Sequence, residues 1–238
     1  QFLRVVREVS SKFFLFENLD GFSYKTHKAE LDYFLDMTKK LGYQTSYKVI
    51  NTANYGIPQT RKRFICIGTL QGLPKFLFPE ETHASNISGL DELKPWVTCR
   101  DSIGIFDTIS EQEKNNTPGG KHKKLFRAIP PGDNYLFYTK KRGHKNPKFE
   151  WKSRYWTFLL KLSPDRPSWT IQASFSENQG PFHWRNRFLR IDEIKRIQTI
   201  DDSFFLNGNF KSQWKQIGNA FPTEMSRILA NQIKKCLH

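Results

Sequence analysis

Glu17 ends an apolar run, Phe13-Phe14-Leu15-Phe16, and is followed by Asn18, Leu19, Asp20 and Gly21. A carboxyl in that place has two readings: it opens a turn at the end of a buried strand, or it is an acid held at the rim of a sheet. To deliver a proton near neutral pH it needs surroundings that favour its protonated form, and desolvation at an apolar strand end is one route. A second group lies in "ANYGIPQTRKR", where Gln59, Arg61 and Arg63 alternate and share one face if the segment is extended. A guanidinium stays charged and offers a rigid donor fork, which suits it to hold a polar ring or a carboxylate. The same cations could instead guard an edge strand against aggregation. In "QIGNAFP", Gly218, Asn219 and Ala220 allow close approach of backbone to a ligand, or form a plain loop before Pro222 and Thr223.

Cys66, Cys99 and Cys236 form no CxxC pair and are odd in number, so neither a disulfide framework nor a zinc site is expected. The six histidines lack ligand spacing, and no metal is expected. No apolar stretch approaches membrane-spanning length, and a reduced, cytoplasmic, nucleoid-associated setting fits best. A net charge of +15 on 238 residues, with 15% aromatic residues, favours polyanionic partners. The charge is densest over residues 121–154, where eleven Lys and Arg face only Asp133 and Glu150. Such a run is often a mere solvated face. Here Phe126, Tyr135, Phe137, Tyr138, Trp151, Tyr155 and Trp156 are interleaved with it, which points to a nucleic-acid surface with Lys123, Lys124, Lys140, Lys141 and Arg142 as candidates.

The elements that must position these groups follow from periodicity. "QFLRVVREVSSK" predicts a helix with Phe2, Val5, Val6 and Val9 on one side, and "FFLFEN" a strand buried on both faces. "KAELDYFLDMTKKLG" predicts a helix with a Leu31, Phe34, Leu35, Thr38, Leu41 stripe and Gly42 at its C-terminal cap. Then come a strand in "YQTSYKVIN", a loop in "TANYGIPQTRK" and a strand in "RFICIG", which is α/β organisation. The pattern weakens from about 70 to 170. "RIDEIKRIQ" predicts a helix and "WKQIGNAFP" a loop. The final helix, "TEMSRILANQIKKCL", turns Met225, Ile228, Leu229, Ile233 and Leu237 inward, with Thr223 available as N-cap. The length allows one domain, or a domain and a small second one.

Four stretches, "FENLDG", "ANYGIPQTRKR", "RFLRIDEIKRIQTIDDSF" and "QIGNAFP", resemble in order the Glu-Asn-Val, Gln-x-Arg-x-Arg, Arg-x-Leu and Gly-Asn-(Ala/Ser)-Val-Pro elements in the second half of DNA (cytosine-5)-methyltransferases. "WVTCRDSIGIF" and "AIPPGDNY" look like connecting segments of that family. Leu19 and Phe221 stand where valine is usual, and both stay apolar. The family's Phe-x-Gly-x-Gly cofactor loop and Pro-Cys nucleophile are absent, and none of the three cysteines matches the nucleophile's position.

The resemblance implies the C-terminal part of a Rossmann-like methyltransferase sheet, mixed and with a reversed last strand, plus a small irregular target-recognition domain. Its implied segments are 1–109 for the second half of the catalytic domain, 110–175 for target recognition, and 176–238 for the junction and the returning helix. It also implies methyl transfer from S-adenosylmethionine to C5 of a cytosine flipped from duplex DNA, after a thiolate adds to C6. In that chemistry Glu17 relieves the charge that builds toward N3, and Asn18 holds the nucleophile loop. Arg63 reaches the base and its acid, Arg61 serves the backbone or a nearby loop, and Asn219 and Ala220 touch the cofactor. Arg187, Arg190 and Gln198 would seat the recognition domain, with phosphate contact from Arg185 and Arg187. The missing elements imply a complementary N-terminal methyltransferase subunit or segment, without which this chain is expected to be inactive. An apolar "FFLF" strand without neighbours would need a cover in any case. The alternative is a non-catalytic DNA-binding module on the same scaffold, with a generic RNA-binding protein a distant third.

Overall fold

Three runs rich in β-branched and aromatic residues build the main sheet of the computed structural model, which describes residues 1–86, 92–152 and 154–237. Helix α1 (Phe2–Val9) leads into strand β1 (Phe13–Leu19), helix α2 (Lys28–Lys40) and strand β2 (Tyr43–Asn51). Strands β3 (Gln59–Thr60) and β4 (Lys62–Leu70) follow, then the short pair β5 (His83–Ala84) and β6 (Lys94–Pro95). The second half holds helices α3 (Cys99–Ile103), α4 (Glu111–Asn115) and α5 (Lys123–Ala128), then strand β7 (Ser168–Trp169). Helices α6 (Ile191–Ile197), α7 (Phe210–Asn219) and α8 (Thr223–Lys235) close the chain.

The sheet order is β1-β4-β2, with β4 antiparallel to both neighbours. Because side chains alternate along β4, Phe64 and Cys66 face a cluster with Phe14, Phe34 and Tyr43 under α1 and α2. Ile65 and Ile67 face Ile50, Phe76, Met225 and Leu229 under α8. The strand buried on both faces is therefore β4. In β1, which pairs along one edge only among the described residues, Phe14 is buried while Leu15, Glu17 and Leu19 are exposed. That corrects the expectation for "FFLFEN". In α1 only Val6 of the expected valines is buried, and Val5 and Val9 face solvent. Gly42 takes φ +86° just past α2, and its N–H donates to the Lys39 carbonyl, as the expected cap requires.

"WKQIGNAFP", expected as a loop, is helical as far as Asn219. Gly218 lies inside that helix because its backbone packs against the 172–173 segment: a Cβ there would sit 2.5 Å from Ala173 Cα. Thr223 does not cap α8. The Glu224 N–H instead donates to Thr199 Oγ1 at 2.9 Å, so the cap comes from the end of α6 across the chain. Leu237, expected inward, is exposed.

Two further clusters lie outside the sheet. One packs Cys99 and Ile103 of α3 against Ile194, Ile197, Trp214 and Ile217 of α6 and α7. The other joins Phe126, Ile129, Tyr135, Tyr138, Leu159 and Phe182. Phe126, Tyr135 and Tyr138 are thus core residues, and the burial of their large rings helps hold so irregular a region together. Trp151, Tyr155 and Trp156 are the members of the expected aromatic surface that stay largely exposed.

Candidate active-site cleft

The end of β1 and the start of β4 lie side by side, which brings a carboxylate to a guanidinium. Glu17 Oε1 sits 2.8 Å from Arg63 Nε, with the two side chains 33% and 12% exposed. The pair opens into a cleft of about 430 Å³ that Asn18, Arg61, Ala173 and Asn219 also line. Asn18 Oδ1 accepts the Leu19 N–H at 2.8 Å, so its carbonyl end fixes the turn. The desolvated setting expected for Glu17 is not what the fold provides: the side chain is one-third exposed and ion-paired.

Gln59, Arg61 and Arg63 divide their work. Gln59 is fully buried; its Nε2 donates to Gln198 Oε1 at 3.1 Å, and its Oε1 accepts the Ile171 N–H at 3.3 Å. Gln198 in turn donates to the Ile217 carbonyl at 2.9 Å and the Ala220 carbonyl at 3.2 Å. Two amides therefore tie β3, the segment after β7, and helices α6 and α7 together behind the cleft. Arg61 is buried, reaches the Ile171 carbonyl at 3.4 Å, and leaves its Nε without a partner. Burial, helped by neighbouring Arg63 and opposed by Glu17, pulls its guanidinium down to about 10.

No cysteine joins this cleft. All three are buried, burial pushes the Cys66 thiol up to about 12, and the Cys99 thiol is likewise raised. A nucleophile must be a thiolate, so the Cys66 and Cys99 side chains are inert at neutral pH. The residues present do not make a cradle for S-adenosylmethionine either. Ala220 is half-buried with its carbonyl held by Gln198, and Gly218 packs its backbone closely against Ala173. Asn219 and Gln172 offer exposed amides to the cleft. Among the described residues no His, Cys, Asp and Glu cluster could hold a metal, and no helix is long and apolar enough to cross a membrane.

The arginines of the junction are already engaged. Arg187 is fully buried, with bonds to both Glu193 oxygens (2.7 and 2.8 Å) and to the Phe106, Thr108 and Phe188 carbonyls. It cannot reach a phosphate, which corrects its expected place among DNA contacts. Arg190 clasps Glu113 through two bonds, and its guanidinium holds that carboxyl down at about 2. Arg185 is exposed, but its fork is taken by Asp107 at 2.7 and 3.0 Å. The partners Asp107 and Glu113 were missed in the sequence, where no local pattern links residues so far apart, and Glu193, six residues from Arg187, was missed as well. Lys123, Lys124, Lys140, Lys141 and Arg142 are exposed; Lys141 lies 4.1 Å over the Trp151 ring, and Arg142 pairs with Asp133 at 2.8 Å.

The family profile of C-5 cytosine-specific DNA methylases matches residues 1–235. The chain belongs to that family. It is 37% identical over 251 residues to the Type II methyltransferase M.SacI of Streptomyces achromogenes, covering 100% of this chain and 63% of M.SacI. It is 28% identical over 259 residues to the Type II methyltransferase M.MthTI of Methanothermobacter thermautotrophicus, covering 99% of this chain and 70% of M.MthTI. The chain thus spans about two thirds of the length of such relatives. The crystal structure of the Dnmt2 methyltransferase of S. pombe shares the fold, with a TM-score of 0.59 at 16% identity, over 99% of this chain and 71% of that one.

Proposed function

We propose that this methylase-family chain is the part of a DNA cytosine-5 methyltransferase that receives the flipped cytosine and reads the duplex, while a complementary segment supplies the thiolate. The observation that carries the reading is the Glu17–Arg63 pair at 2.8 Å in a cleft that Arg61 and Asn219 share and no cysteine reaches. In this reading the complementary thiolate bonds to C6 of the cytosine, and the ring's electron pair moves toward N3. Glu17 supplies the hydrogen bond or proton there, Arg63 holds Glu17 and the base in register, and C5 becomes nucleophilic. Asn18 positions the incoming nucleophile loop, and Arg61 steadies the segment after β7. S-adenosylmethionine, the methyl donor in this reading, is assigned mainly to the complementary segment, with Asn219 the contact this chain contributes. Residues 110–175 form the recognition region, with exposed Lys123, Lys124, Lys140, Lys141 and Arg142 on the phosphates.

Mixing the chain with a segment that carries the glycine-rich loop and Pro-Cys is expected to give methyl transfer that neither piece gives alone. Transfer to cytosine by the lone chain overturns the reading. A second reading, a DNA-binding module without chemistry, is favoured by the exposed cations and the buried thiols. It gains if Glu17→Gln leaves the mixed enzyme's rate unchanged.

A further inference from the structure

Thr60 and Lys62 alternate with Arg61 and Arg63 and point to the other side of the chain. There they line a separate cavity of about 630 Å³ together with Trp96, Arg166 and Trp169. The volume is that of an ordinary ligand site. Its walls are stiff. Strand β7 pairs Trp169 with Thr60, and Trp96 donates its indole N–H to Asn54 at 3.0 Å. Trp169 is 43% exposed and meets Trp156, 38% exposed, at 5.0 Å between ring centroids with the ring planes 53° apart, so Trp156 props the Trp169 indole while part of it stays open. Its charge is unbalanced. Asp165 also lines the cavity, but both its bonds go to Arg100, at 2.9 and 3.2 Å. Among the described residues, Lys62 and Arg166 make no ion pair. Two such cations beside a partly exposed indole match a phosphate joined to a planar ring.

We infer that this cavity binds a nucleoside phosphate within a DNA strand, its phosphate on Lys62 and Arg166 and its base on Trp169. The inference rests on the reading of the chain as a DNA binder and adds a subsite outside the Glu17 cleft.

The test is fluorescence anisotropy of a labelled octathymidylate with the full chain, across a salt series. Lys62→Ala/Arg166→Ala is expected to weaken binding about tenfold and to flatten the salt slope by about 1.4, the loss of two phosphate contacts on a single strand. Trp169→Ala is expected to weaken binding about fivefold, and Trp169→Phe to retain it, which separates stacking from a folding defect. Lys140→Ala/Lys141→Ala serves as the reference elsewhere on the surface. If only that reference pair weakens binding, the cavity assignment falls and the DNA-binding reading stands. If the unaltered chain binds neither this strand nor duplex, both fall. Competition by thymidine 5′-monophosphate as strong as by the octamer overturns the assignment to a strand.

Discussion

Glu17 and Arg63 form a 2.8 Å ion pair across two antiparallel strands, although the ladder sets Glu17 opposite Ile65 and Arg63 opposite Leu19. The contact is a diagonal one, and a slip of one residue would turn every side chain of β1 to the wrong face. Phe14 and Phe16, packed beneath α1 and α2, hold the register that brings the pair together.

Glu17→Gln separates chemistry from folding. The pair is partly exposed, so its loss should alter stability by no more than about 1 kcal/mol. A positioned acid contributes roughly 10²–10⁴ in rate, and single-turnover methylation by the mixed enzyme should drop within that range. Unchanged turnover with an unchanged melt removes Glu17 from the chemistry.

Arg187→Ala should act on the fold. It strands the Glu193 carboxylate, which is fully buried, and breaking a buried pair in this way costs about 3–5 kcal/mol. Urea denaturation of the two single variants and of Arg187→Ala/Glu193→Ala checks it: the double variant should lose less than the sum of the singles. Additive losses would show that the two side chains do not depend on one another.

The parts of the site that follow a period were legible in the sequence. Alternation set Arg61 and Arg63 to one side, and the apolar run located the strand that carries Glu17 and Asn18. Burial was not legible where it depends on distant partners. Arg187 looks like any surface cation until Glu193 and the Phe106 carbonyl surround it. The aromatic residues between 121 and 154 suit a stacking surface or a core equally well, and only Ile129, Leu159 and Phe182 decide for Phe126 and Tyr135. Gly218 reads as a loop residue in the sequence because what requires a glycine there is the Ala173 backbone, a contact over 40 residues back along the chain.

Gly218→Ala tests that contact. The new methyl would meet Ala173 N at 2.6 Å and the Gln172 carbonyl oxygen at 2.6 Å, backbone atoms that cannot turn aside. Overpacking of this kind costs about 1–3 kcal/mol, and a lower Tm is expected even though alanine favours helix. A Tm that holds or rises would mean that α7 is not pressed against this segment.

Lys161 makes stability depend on alkaline pH. It is buried, with its ammonium over the Phe126 ring at 4.7 Å and donating to the Arg127 carbonyl at 3.3 Å and to the Ile129 carbonyl. Burial pulls it down to about 8, against about 10.4 in an unfolded chain. Between those values the unfolded chain binds a proton that the folded chain has shed, so stability rises with pH through that window. Below pH 8 both forms carry the proton, and the folded one bears the full desolvation penalty. Tyr55 opposes the trend above about pH 10, because burial pushes its hydroxyl up to about 12 and the unfolded chain ionises first. Urea midpoints measured from pH 7.5 to pH 10 should therefore climb for the native chain relative to Lys161→Met, which has no proton to lose at this position. Parallel curves for the two proteins would place the titration elsewhere.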